Sequence, residues 1–267
     1  MRTYAVASGK GGVGKTSLAA NLGAAMAQRG RRVLLFDADL SLANLDVVLG
    51  VKPKHTLQHV LAGTNALEEA VTPVFGGLDM IAGGSAVSAL MRSGKKRIGR
   101  FLTQLAELES RYDALIFDTS AGVDSKVLTF CRIADEILLV TCPDPTAALD
   151  AYALTKVVTR NRPDARIRLI VNMVEGENEA KAVHEKLRDV ARRFLDRELD
   201  YAGFVRDDPG AAECIRRRSP FVYAHPKLAA SKDVVEIAKS LIQSAAQGGT
   251  SRFVELTGEF AELPLAA

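Results

Sequence analysis

Gly9-Lys10-Gly11-Gly12-Val13-Gly14-Lys15-Thr16 is the stretch on which the reading of this chain turns. It fits the phosphate-binding pattern G-x-x-x-x-G-K-[ST]. Its context is that of a strand–loop–helix unit: an apolar run, Tyr4–Ser8, leads in, and Lys15–Gln28 carries apolar residues at three- and four-residue spacing. The glycines are needed because a backbone wrapping a phosphate with its N–H groups inward adopts unusual dihedrals. The helix adds the positive end of its dipole. Lys15 is then placed to reach the β- and γ-phosphates of ATP, and the Thr16 hydroxyl to ligate Mg²⁺. Gly9 to Thr16, with Ser17 beside them, form the expected nucleotide cradle. A glycine-rich turn could match by chance, but not readily at every position in this context.

Outward from the loop, short runs rich in Val, Ile and Leu alternate with helical patterns. The strand-like runs are Tyr4–Ser8, Val33–Asp37, Leu78–Ala82, Ala114–Asp118, Glu136–Thr141, Ile167–Asn172 and Tyr201–Val205. The helical patterns are Lys15–Gln28, Ile98–Glu109, Pro145–Val158 and Ala180–Leu195. Runs this continuous suit a sheet covered on both faces. The expectation is an α/β fold with a doubly wound, mostly parallel sheet and helices on both faces. The first linker-like stretch is Gln247-Gly248-Gly249-Thr250-Ser251. Residues 1–246 are therefore expected to form one domain, and 247–267 a linker and short amphipathic tail.

In such sheets a ligand sits at the carboxyl ends of the strands. The polar residues ending these runs are Ser8, Asp37 and Asp39, Asp118, Thr141 and Asn172. Asp118, at the end of an apolar strand, is suited to Mg²⁺ opposite the phosphate loop; the plainer alternative is a helix cap. A carboxylate from Asp37-Ala38-Asp39 can orient an attacking water or hold a metal-bound one, since phosphoryl transfer depends on positioning. The Asn172 amide offers a donor and an acceptor, as an adenine edge requires.

Lys10 is a second lysine inside the loop, and a general phosphate loop has no need of it. With it, Lys10–Thr16 resembles the deviant Walker A motif of the MinD/ParA family, a resemblance that extends over about residues 3–245. It implies an ATPase in which Lys10 reaches across a nucleotide-sandwich homodimer to the partner's ATP. It further implies that Asp39 positions water, that Asp37 supports the Mg²⁺ shell, and that Thr119-Ser120-Ala121-Gly122 senses the γ-phosphate. On the base side it points to Asn172 and to the loop Val205-Arg206-Asp207-Asp208, where family members usually carry proline in place of Arg206. No Asn-Lys-x-Asp guanine motif is present, which favours ATP over GTP. Ser41–Gly50 is similar to MinD and to the flagellar-number regulators FlhG/FleN. Pro143–Lys156 is closer to the flagellar branch. The resemblance thus implies a nucleotide-controlled dimerisation switch in the placement or number control of flagella or a similar cell-pole structure, with a flagellar or cell-pole protein as partner.

Composition narrows the alternatives. With 35 basic and 32 acidic residues, a net charge of +3 and 48% apolar residues, the chain suits a large core better than a polyanion binder. The 3 cysteines are scattered and odd in number, which suits a reducing, cytoplasmic setting. No run has the length of a membrane span. In the tail, Phe253, Leu256, Phe260 and Leu263 are spaced for one helical face, but Glu255, Glu259 and Glu262 outweigh Arg252. Anionic lipid repels such a face, so folding back or docking on a partner is expected ahead of peripheral attachment to the inner membrane. The basic clusters at Arg92–Arg100 and Arg216–Arg218 read first as solvated faces. The runner-up is a ParA-like partition ATPase whose dimer binds DNA through phosphates. A metabolic P-loop ligase would need a further pocket and nucleophile, for which no residues fit.

Overall fold

The computed structural model of the chain describes residues 1–39 and 44–246. Among these, the strands are β1 (Arg2–Ser8), β2 (Val33–Ala38), β3 (Val71–Phe75), β4 (Leu78–Ile81), β5 (Ala114–Ala121), β6 (Glu136–Thr141), β7 (Arg166–Val174) and β8 (Asp200–Arg206). The helices of the first half are α1 (Lys15–Ala27), α2 (Leu45–Leu49), α3 (Leu57–Ala62), α4 (Ser85–Arg92), α5 (Lys95–Glu107) and α6 (Ser125–Ile133). Those of the second half are α7 (Pro145–Asn161), α8 (Glu177–Leu195), α9 (Pro209–Arg216), α10 (Phe221–Ala224) and α11 (Ala229–Ala246).

The strands form one 8-stranded sheet in the order β3-β4-β2-β5-β1-β6-β7-β8. Every pairing is parallel except β3 with β4. The doubly wound, mostly parallel expectation therefore holds. Alternation along the central strands divides the core: Ala5, Ala7, Leu34 and Phe36 face one layer, with residues of α5, α6, α7 and α8. Tyr4, Val6, Val33 and Leu35 face the other, with residues of α1 and α11. Successive strand side chains point to opposite faces, so a strand with apolar residues at every position feeds both layers.

The start of α7 shows how locally the chain encodes an element. Asp144 Oδ1 accepts from the backbone N–H groups of Thr146 (2.8 Å) and Ala147 (2.9 Å), with Pro145 opening the helix. That is an N-cap followed by a residue with no N–H to satisfy.

Two readings are corrected here. The strand expected over Ala114–Asp118 runs on as β5 as far as Ala121, with Thr119 and Ser120 buried and Ser8 paired with Ala121. The sequence pattern also passed over β3, the short helices α2, α3, α4 and α10, and α6, α9 and α11. β3 holds Pro73 at the sheet margin and is only half-buried, so it lacks an alternating signal. The tail at 247–267 and part of Ser41–Gly50 lie outside the described residues.

Candidate nucleotide-binding site

The glycine-rich loop joins β1 to α1 at the carboxyl edge of the sheet. Gly12 and Gly14 take φ of 81° and 83°, the left-handed region that favours glycine. A Cβ on Gly14 would also sit 2.3 Å from Asn172 Nδ2. This closeness has a cause: Asn172 Nδ2 donates to the Val13 carbonyl at 2.8 Å. The amide expected to meet the base thus commits one hydrogen to holding the loop, leaving Oδ1 and its second hydrogen for a ligand.

The two loop lysines diverge. Lys15 turns inward, is 7% exposed, and lies 3.2 Å from Asp118 Oδ1. Lys10 turns outward to the head of α7, donating to Asp144 Oδ1 at 3.1 Å and Thr146 Oγ1 at 2.5 Å. Hydrogen bonds from Thr146, Ala147 and Lys10 hold the Asp144 carboxyl well below the usual range. Both partners of Lys10 are open to solvent.

Asp37, Asp39 and Asp118 converge from the adjacent strands β2 and β5. Asp37 is fixed by backbone N–H groups, accepting from Asp39 at 3.1 Å and Leu45 at 3.4 Å. Burial, then the charge of Asp118, push its carboxyl up to about 7. Burial also raises Asp118, opposed chiefly by Lys15 and by the nearby Thr16 hydroxyl, while Asp39 adds further repulsion. Asp118 Oδ2 is buried with no well-formed hydrogen bond, as is Ser17 Oγ.

Asp118 Oδ2, buried without a well-formed hydrogen bond, is a hard oxygen donor of the kind Mg²⁺ takes. Among the described residues no acidic or histidine cluster is arranged to hold a metal unaided. Each Asp37 oxygen already accepts one backbone N–H.

Beside the loop opens a cleft lined by Gly14, Ser17, Asn172, Met173, Arg206, Asp207 and Asp208, among others. It lies where the resemblance placed the base. Met173 has φ of 57° and follows Asn172 at a bulge against β8; a non-glycine residue held so is strained and marks a site under constraint. The sequence reading missed Met173, the Asp144–Thr146 seat of Lys10, and Asp233, which pairs with Arg206. A pattern read along the chain carries no sign of the last two, because their partners are distant in sequence.

Residues 4–221 match the family described as the CobQ/CobB/MinD/ParA nucleotide binding domain. The chain is 35% identical over 241 residues to the antiactivator FleN of Pseudomonas aeruginosa, covering 90% of this chain and 86% of FleN. It is 35% identical over 246 residues to the flagellum site-determining protein YlxH of Helicobacter pylori, covering 91% and 83%. Among solved structures it resembles MinD of Pyrococcus horikoshii in complex with Mg-ADP, with a TM-score of 0.76 and 25% identity over 92% of this chain and 98% of that one.

Proposed function

Since the chain belongs to the CobQ/CobB/MinD/ParA family of nucleotide-binding proteins, we propose that it is a Mg²⁺-dependent ATPase whose bound nucleotide switches it between monomer and homodimer. Its setting, from the name of the flagellum site-determining relative YlxH and from the resemblance of Pro143–Lys156 to the flagellar branch, is the placement or number control of flagella, through a flagellar or cell-pole protein partner. No helix among the described residues is long and apolar enough to cross a membrane.

The observation that carries the reading is the divergence of the two lysines. Lys15 faces the chain's own carboxylates, where it serves the phosphates of a nucleotide on the same subunit. Lys10 stands on an open surface at the head of α7, so its ammonium can leave Asp144 for an anion brought by a second subunit. In a two-fold dimer each subunit offers the same lysine, and two contacts form or break together. ATP then favours the dimer by as much as it binds that state more tightly.

Within the site, Lys15 holds the β- and γ-phosphates, and Asn172 with Asp207 and Arg206 bounds the base. Thr16 and Asp118, with Asp37 supporting the shell, would hold Mg²⁺, which when bound would neutralise phosphate charge. Asp39 orients the attacking water, and Asp37 fixes the backbone that presents Asp39. The DNA-binding alternative draws less support, because Arg216 and Arg217 both pair with Glu213.

The test is light scattering with ATP, ADP and no nucleotide on Asp39→Ala, in which hydrolysis stalls. Asp39→Ala should become a dimer with ATP alone, and Lys10→Ala/Asp39→Ala should remain a monomer that still binds ATP. A double variant that dimerises as readily as Asp39→Ala rules out the switch.

A further inference from the structure

The wall of the cleft facing the glycine-rich loop is hung on the last helix. β8 ends at Arg206, and three groups of this residue converge on one carboxylate of α11. The Arg206 backbone N–H and Nε donate to Asp233 Oδ2 at 3.0 and 2.8 Å, and Nη2 donates to Oδ1 at 2.6 Å. Nη2 also reaches the Ala229 carbonyl at 3.4 Å. Two residues further on, Asp208 Oδ2 accepts from the backbone N–H of Ala230 at 3.4 Å. Between them, the Asp207 N–H donates to the Val174 carbonyl at 2.9 Å. The short loop after β8 is therefore fixed to β7 on one side and to the first turn of α11 on the other.

This pair is more than a surface contact. Asp233 is only 9% exposed, and a carboxylate so placed needs its donors. A fork of two guanidinium N–H groups matched to two oxygens is the strong and directional form of such a pair. A proline at 206, the residue the sequence resemblance leads one to expect, has neither an N–H nor a guanidinium and would strand Asp233. Arg206 and Asp233 are thus co-dependent in this chain. The same loop and Ala230 line the cleft with Gly14, Ser17 and Asn172, and α11 also packs on α1, the helix that follows the phosphate loop.

We infer that the Arg206–Asp233 pair is the positioning element of the base side of the cleft, so that binding of the purine and seating of the first turn of α11 are one event. This rests on the nucleotide reading proposed above and adds to it a route from the base to the C-terminal helix. Phosphates bind at the other end of the site, on the loop and Lys15, and do not depend on the pair.

Calorimetry with ATP and with inorganic tripolyphosphate, which lacks a base, separates these contributions. Asp233→Asn should weaken ATP about tenfold, some 1.4 kcal/mol, and leave tripolyphosphate unchanged. Arg206→Lys, which keeps the charge and loses the fork, should do the same if Asp233→Asn folds poorly. Hydrogen exchange in residues 229–236 should slow with ATP but not with tripolyphosphate in the parent, and ATP should lose this effect in the variants. Folded variants that bind both ligands as the parent does, or lose both equally, show that the pair only stabilises the fold and overturn the inference. A parent protein that binds no ATP would instead remove the nucleotide reading itself.

Discussion

Lys15 and Asp118 neutralise each other at 3.2 Å in a buried setting, so each is the other's main support when no anion is present. Lys15→Ala removes the point charge aimed at the phosphates and leaves Asp118 without its counter-ion. ATP affinity measured by calorimetry should fall at least tenfold, about 1.4 kcal/mol, and an unchanged affinity would discard the phosphate-loop assignment. Asp37 gives a pH signature. Its folded value near 7 compares with about 3.9 in an unfolded chain. Between these the folded state holds a proton that the unfolded chain releases, so stability falls as pH rises from about 4 to about 7, and the cost is complete above that. Asp37→Asn removes the titration. In nucleotide-free protein, the unfolding midpoint of the variant relative to the parent should rise progressively from pH 5 to pH 8. A difference that does not change with pH would show Asp37 already ionised at pH 5.

At the scale of elements, the glycine-rich loop is braced by α7 as much as by its own helix. A Cβ on Gly9 would lie 2.1 Å from the Asp150 carbonyl oxygen in α7, a contact with backbone that cannot swing aside. Lys10 ties the next residue to the N-cap of the same helix. Gly9→Ala must therefore push loop and helix apart. Urea unfolding should report a loss of about 2 kcal/mol or more, in the range of mutations that strain buried backbone, together with weaker ATP binding. Stability within about 0.5 kcal/mol of the parent would mean that the loop shifts freely. β3 and β8 close the sheet at its two margins, and both are less buried than the strands between them. The candidate site draws on the carboxyl ends of β1, β2, β5 and β7, with β8 contributing Arg206 at its end and the loop that follows it.

For the whole molecule, a ligand that binds only the folded state raises stability by mass action, about 2.7 kcal/mol at a concentration a hundredfold above Kd. In a domain of this size each kcal/mol moves the melting point by about 2–4 °C. Mg·ATP at that excess should therefore raise the melting temperature of Asp39→Ala by about 5–10 °C, and the same concentration should raise that of Lys15→Ala by no more than about half as much. A similar shift in both variants would place the nucleotide elsewhere. α1, which carries Lys15 and Thr16, is buried along most of its length, so an anion seated on the loop is held by the folded core and not by the unfolded chain.

The sequence by itself determined the strand–loop–helix unit around Gly9–Thr16 and the doubly wound fold class, along with the strands that carry Asp37, Asp118 and Asn172. These are readable because glycine placement, apolar runs and helical spacing are properties of neighbouring residues. It also flagged Lys10 and Arg206 as unusual without revealing where either side chain goes. Tertiary structure alone decided that Lys10 rests on Asp144, 134 residues away, that Asn172 donates to Val13 across 159 residues, and that Arg206 is held by Asp233. It likewise buried Asp37 and brought Asp118 to the same level of the adjacent strand; the burial first, and then that charge, raise Asp37. The physical reason is common to all of these. Which donor meets which acceptor depends on strand order and helix packing, and those are fixed by the burial of whole faces rather than by any local pattern of residues.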